Sequence, residues 1–322
     1  MFFLILKNTT GFLLILFFFS YMASISLNNF TLLRFQIAEK FEYYSFWSAF
    51  PNLSRLLILF VFWIFVDINL NNIALIFALS SFFVLLYSFY SLNLMSKGHV
   101  NIKYRNSNNF DSDKSFSNLL KNSYPYGLSG IFYIVYYQID IFILKYYVSY
   151  EDIAHYSISL IFISAICLLP TIFYQQIFMP KIHYWAINDK KYLEVFYKRN
   201  IIYSLILGVF FYILINASIS TIITILFDDK YIGVLEFFYI LSLIIPIKFL
   251  SQSAGALMNI GNWIKNKVYI MGLATLINVF LNLILIKNIG LYGAIYSTIV
   301  TELFIMVCFI IFLNLKFRGD YE

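Results

Sequence analysis

The chain has 322 residues, of which 61% are hydrophobic and 12% charged, with a mean hydropathy of +0.81. Soluble domains are about half apolar and a quarter charged, so this composition excludes an ordinary soluble enzyme and makes the chain an integral membrane protein. The net charge of +6 does not argue for a nucleic-acid partner, because the basic residues gather in short segments between apolar runs.

An apolar run of about 20 residues spans a bilayer as a helix. Such runs are predicted at 2–26, 43–66, 72–95, 120–147, 153–178, 200–227, 232–260, 268–286 and 291–315. Each is too long for a barrel strand, and only helices or closed barrels satisfy the backbone in hydrocarbon. The expected fold class is therefore all-α: a polytopic membrane helical bundle of about nine transmembrane helices. A polar stretch divides it into a partial N-terminal lobe of three helices at 1–96, a cytoplasmic linker at 97–118, a six-helix lobe at 119–316 and a tail at 317–322. A shorter amphipathic connection is expected at 28–44.

Lysine and arginine set the orientation. Lys97, Lys103, Arg105, Lys114 and Lys121 follow the third run; Lys181, Lys190, Lys191, Lys198 and Arg199 follow the fifth; Lys265 and Lys267 follow the seventh; Lys316 and Arg318 close the chain. The other side holds little beyond Lys145, Lys230 and Lys287. The first group is assigned to the cytoplasm, so the C-terminus is inside and the N-terminus of this chain outside. That places Lys7 on the outer side, which is odd and suggests that helices are missing ahead of Met1. Trp47, Trp185 and Trp263 fall near the cytoplasmic boundaries, as an aromatic belt requires. Pro170 and Pro246 lie inside runs and should kink them. Cys167 and Cys308 lie in apolar runs and read as core thiols.

Polar groups at membrane depth are costly and mark function by default. Between residues 123 and 145, Tyr126, Ser129, Tyr133, Tyr137 and Asp140 recur at helical spacing and share one face. Tyr133 and Tyr137 can stack on sugar rings or simply pack against helices. Asp140 can bind a coupling ion, or can pair with Lys145 or cap a neighbouring helix. Lys248 heads a stripe continued by Gln252, Gly255 and Asn259; Glu302 lies at similar depth near Ser297, Thr298 and Thr301. The functional reading puts Lys248 in a central cavity facing an anionic substrate, with Glu302 as its partner or as an ion-coupling site. The structural reading is a buried ion pair or a snorkelling lysine. Arg55 either lines the cavity or snorkels to the cytoplasmic face. Gly272, Thr275, Asn278 and Asn282 form a stripe of the kind that glues helices together.

No enzyme chemistry is legible. His99, His155 and His183 are scattered without metal-ligand spacing, and neither a phosphate-binding glycine loop nor a nucleophile elbow is present. The expectation is a protein that is not an enzyme and takes no cofactor and no metal.

The run at 278–302, NVFLNLILIKNIGLYGAIYSTIVTE, resembles the junction of the last two helices in Wzx-type polysaccharide-repeat (O-antigen) flippases, where the pattern is roughly N-x-x-L-N-x-x-L-I-P-x-x-G-x-x-G-A-A-x-A-T. Lys287 replaces the usual proline and Ile295 the second alanine. The run at 125–144 is similar to that family's seventh helix, although Ile141 stands where an arginine is common. The segment at 155–158, Pro180, the segment at 226–231 and the FQIAEKF segment at 35–41 fall in the family's order.

This resemblance implies a two-lobed, alternating-access transporter of the multidrug/oligosaccharidyl-lipid/polysaccharide exporter superfamily. Its members have twelve helices in two bundles of six, so this chain would begin at the fourth. The implied function is translocation of undecaprenyl-pyrophosphate-linked oligosaccharide across the bacterial inner membrane, for O-antigen or capsule. Lys248, Arg55, Gln252, Tyr133 and Tyr137 are then the candidate substrate residues, and Asp140 and Glu302 the ion-coupling ones. The implied partners are the lipid-linked oligosaccharide, membrane lipid, and polysaccharide polymerase and chain-length proteins, with the carrier acting as a monomer. The alternatives are a cation-coupled small-molecule or multidrug exporter of the same superfamily, a membrane glycosyltransferase or polymerase, and an inactive truncated flippase.

Overall fold

In hydrocarbon, backbone amides find partners only within the chain, and all regular structure among the described residues is helical. The structure is a computed structural model that describes residues 9–38, 40–65, 70–98, 116–227 and 231–319. Most of the expected linker, Lys7, Glu39, His99, Lys103, Arg105, Lys114, Lys230 and part of the 226–231 segment lie outside the described residues.

The helices are α1 (Thr9–Ile37), α2 (Phe41–Phe65), α3 (Leu70–Ser96), α4 (Phe116–Leu144), α5 (Tyr150–Thr171), α6 (Met179–Asn188), α7 (Lys190–Leu226), α8 (Val234–Leu241), α9 (Ile244–Leu257), α10 (Trp263–Ile289) and α11 (Leu291–Gly319). Among the described residues, seven helical stretches are long and apolar enough to cross a membrane, or eight if the bent pair α8–α9 is one span. These eight correspond to the expected runs from 43–66 onward. The first run begins outside the described residues, and the helix there continues to Ile37.

Two sequence expectations are corrected. The basic segment after the fifth run is not a loop: Lys181 lies in α6, and Lys190, Lys191, Lys198 and Arg199 lie in α7. Lys265 and Lys267, expected in the connection after the seventh run, both lie in α10.

The chain divides into two compact units, Met1–Asp111 and Ser112–Glu322. In the first, α1 packs along α3 through small polar side chains. Ser24, Asn28 and Thr31 of α1 and Ser80, Ser81, Ser88 and Ser91 of α3 are all buried. Small side chains let two membrane helices approach closely, which suits association where lipid removes the hydrophobic drive. The apolar α2 buries none of its side chains, leaving Leu57, Trp63 and Phe65 on the surface. Such a surface is at home in lipid and not in water.

In the second unit α9 is central, packed against α5, α7 and α11, while α10 pairs with α4 and α11. Pro246 has no N–H to give the preceding turn, and its ring collides with the carbonyl four residues back. The helix accordingly breaks after Leu241 and resumes at Ile244, bent by 41°. Gly208 lets α7 touch this bend, because a Cβ there would stand 2.7 Å from Pro246 Cα. The α10–α11 junction turns on Gly290, at φ 58° and ψ −133°, a region open only to glycine. Gly293 then passes so close to the end of α10 that a Cβ would stand 2.4 Å from the Leu285 carbonyl carbon. Apolar clusters occupy both ends of the bundle. Leu291, Ala294 and Ile295 of α11 join one, and Ile305, Phe309 and Leu313 join the other. The turns between carry Ser297, Thr298, Thr301 and Glu302, all buried.

Candidate functional site: a polar cavity at mid-bundle

The bend at Pro246 sets Lys248 in the second turn of α9, only 5% exposed. Its ammonium forms an ion pair with Glu302 Oε1 on α11, a residue 1% exposed. Tyr136 of α4 ties the pair together: its hydroxyl donates to Glu302 Oε1 at 3.0 Å and accepts from Lys248 Nζ at 3.1 Å. The rings of Tyr133, Tyr136 and Tyr137 surround the ammonium at 5.1, 5.6 and 5.8 Å, adding cation–π attraction in a desolvated setting.

The pair is not enclosed by solid packing. It borders a cavity of about 360 Å³ lined by Tyr126, Ser129, Tyr133, Gln252 and Lys267 among others. It also borders a smaller cavity of about 180 Å³, to which Tyr137, Ser164 and Thr298 contribute. Tyr133, Lys248, Gln252 and Glu302 line both.

Gln175 reaches the larger cavity from a wide helical turn, Ile172–Ile177, that follows Pro170. A turn of this kind re-aims side chains and recurs at functional sites. Gln175 Nε2 donates to Gln252 Oε1 at 2.7 Å. Lys267 enters from α10, where its ammonium donates to the Gly255 carbonyl at 3.1 Å and to Asn259 Oδ1 at 2.9 Å.

Asp140, 1% exposed, anchors a second cluster and lines neither of these cavities. Oδ2 accepts from Tyr156 at 2.8 Å and from Thr298 at 2.7 Å, and Oδ1 accepts from Asn282 at 2.7 Å. Asn282 also donates to Asn278 Oδ1 at 3.0 Å, and Asn278 to Thr301 at 3.2 Å. The Asn282 carbonyl oxygen is buried with no hydrogen-bond partner. Of the alternatives for Asp140, pairing with Lys145 does not form: Lys145 is exposed and Asp140 is held by three neutral donors.

Lys248, Gln252, Tyr133, Tyr137 and Glu302 thus come together. The expected single face of α4 is divided. Tyr126, Ser129 and Tyr133 line the larger cavity, Tyr137 lines the smaller one and hydrogen-bonds Ser164, and Asp140 enters the cluster with α5, α10 and α11. Arg55 belongs to the first unit. There it donates to the Tyr21 hydroxyl at 2.6 Å and lies over the Tyr21 and Phe77 rings, with Nε buried and unpartnered.

Sequence reasoning missed Tyr136, Gln175 and Lys267 as site residues. Tyr136 is four residues before Asp140 and shares its helical face, which was a usable signal. The polar pair Gln175–Gln176 in an apolar run was another. Lys267 gave none, since a basic residue beside a turn reads as a membrane-boundary charge. Comparison with protein-family models, with curated proteins and with solved structures finds no match to this chain.

Proposed function

We propose that this protein is a flippase for undecaprenyl-pyrophosphate-linked oligosaccharide units, moving them across the bacterial inner membrane for O-antigen or capsule assembly. The observation that carries the reading is the cavity lined by Lys248, Glu302, Gln252, Gln175 and Tyr133 inside an otherwise apolar helical bundle. A pyrophosphate–sugar head is too polar to cross hydrocarbon and needs a hydrated passage, whereas a prenyl tail can stay in lipid. Tyrosine offers a sugar ring an apolar face together with a hydroxyl, and the Gln175–Gln252 amides add donors and acceptors for sugar hydroxyls. Access to the cavity alternates between the two membrane faces. Glycan polymerase and chain-length proteins are the partners this reading implies, with a monomeric carrier.

The test is reconstitution of the full chain in liposomes that carry a fluorescent polyprenyl-pyrophosphate oligosaccharide. The expected result is transfer between leaflets faster than in protein-free liposomes. Equal rates overturn the proposal.

The Asp140 cluster favours a second reading, a cation-coupled small-molecule exporter. Among the described residues no cationic side chain lies within 4.0 Å of the Asp140 carboxylate, which leaves it free to counter a bound or transferred cation. Glu302, committed to Lys248, is the weaker ion-coupling candidate. The cargo discriminates: the exporter reading requires drug transport without oligosaccharide transfer.

A further inference from the structure

We infer that Lys267, and not Lys248, is the residue that takes the phosphate charge of the cargo in the larger cavity; the inference rests on the flippase reading. Among the described residues that line this cavity, the charges are Lys248, Lys267 and Glu302. Glu302 neutralises Lys248 directly, so the pair presents a dipole and not a net charge. Lys267 is the remaining cation. Among the described residues no carboxylate lies within 4.0 Å of it. Its two acceptors are neutral, the Gly255 carbonyl and the Asn259 side-chain oxygen. An ammonium has three N–H bonds, so one remains for an incoming ligand.

The two existing bonds have a structural role as well. They satisfy polar groups at the end of α9, where a helix presents its negative pole. They also fix the ammonium in place, so a phosphate would find it already ordered and would lose little side-chain entropy on binding. The bare backbone of Gly255 lets Phe309 and the Lys267 ammonium approach α9 here: a Cβ would stand 3.1 Å from the Phe309 ring and 4.0 Å from Lys267 Nζ. Ser129 and Ser251 line the same cavity and offer further polar groups. A phosphate at Lys267 therefore meets a charge-assisted hydrogen bond, the stronger kind, while the tyrosine and glutamine wall is left for sugar.

The test uses the full chain in detergent and equilibrium binding of three probes: farnesyl pyrophosphate, farnesol and inorganic pyrophosphate. Wild-type protein should prefer farnesyl pyrophosphate to farnesol by about tenfold or more. Lys267→Gln, which keeps a donor for the Gly255 carbonyl but no charge, should erase that preference. Lys267→Arg should restore most of it, and Lys145→Gln at the exposed lysine should leave it intact. Persistence of the preference in Lys267→Gln overturns the inference, whether or not liposomes show oligosaccharide transfer. If Lys267→Gln erases the preference but liposomes show no transfer, the phosphate site stands and the flippase reading falls. Should Lys267→Gln unfold, Lys267→Arg decides: binding within a few-fold of wild type supports a charge site, and loss of preference in a folded Lys267→Arg protein overturns it. Inorganic pyrophosphate that displaces the farnesyl probe at similar concentration points to a free phosphate ligand and overturns the lipid assignment.

Discussion

Lys248 and Glu302 form an ion pair between α9 and α11, and both residues line two cavities. Transfer of two charges out of water is expensive, and direct pairing with a bridging Tyr136 hydroxyl recovers part of that loss. The pair therefore has two duties, holding α9 to α11 and making the cavity wall polar, and these duties can be separated by mutation.

Lys248→Met or Glu302→Gln alone leaves one buried charge without its counter-charge and should destabilise the protein by about 3–5 kcal/mol. The double substitution should restore most of that stability, because no uncompensated charge remains. Thermal unfolding of the four proteins in detergent, analysed as a double-mutant cycle, measures the coupling. The double variant should fold and yet transfer labelled oligosaccharide more slowly in liposomes, since the cavity wall loses the Lys248–Glu302 dipole and keeps only the Lys267 charge.

Gly130 lines the larger cavity, and a Cβ built there meets nothing within 4 Å. Gly130→Phe should therefore enter the cavity without a backbone clash. Its melting temperature should stay close to wild type while liposome transfer falls to the protein-free rate. Retained transfer in a folded variant would remove this cavity from the translocation route.

The glycines of the α10–α11 junction should behave differently from those in open space. Gly293→Ala drives a Cβ into the Leu285 and Ile286 backbone, which cannot yield as a flexible side chain can, and should markedly lower the melting temperature. Gly290→Ala forces a side chain into a region open only to glycine and should cost about 1–3 kcal/mol. Gly127→Ala lies within α4 with nothing near its Cβ, and should be neutral or stabilising by up to about 1 kcal/mol.

Asp140→Asn should fold. Tyr156 and Thr298 keep an acceptor oxygen, and the unpartnered carbonyl oxygen of Asn282 can turn to accept from the new amide. Asp140→Leu removes the shared acceptor; Thr298 can fall back on the Ala294 carbonyl and Asn282 keeps Asn278, so the loss falls mainly on the buried Tyr156 hydroxyl and should cost about 1–3 kcal/mol. If Asp140 couples cation movement to transport, Asp140→Asn should abolish ion-gradient-driven accumulation in liposomes while its melting temperature holds. Accumulation that persists in that variant would assign coupling elsewhere.

The residue pattern alone specified the class of molecule. Runs of about 20 apolar residues can only be spanning helices, because hydrocarbon offers the backbone no other partner. Pro246 announced its break for an equally local reason, the missing N–H and the ring collision. It also singled out Lys248, Glu302 and Asp140, since an ionised group at that depth is too costly to be incidental.

Which groups meet was decided only by the folded bundle, because helical spacing fixes a face and not the neighbour that face receives. Lys145 was the near candidate for Asp140 in the chain, yet Tyr156, Asn282 and Thr298 hold it, two of them contributed by helices more than a hundred residues further on. Lys267 looked like a boundary charge until the α9–α10 turn folded it back onto Gly255 and Asn259. Pairing between distant helices depends on how their side chains interlock in three dimensions, and that information is not carried by any one stretch of chain.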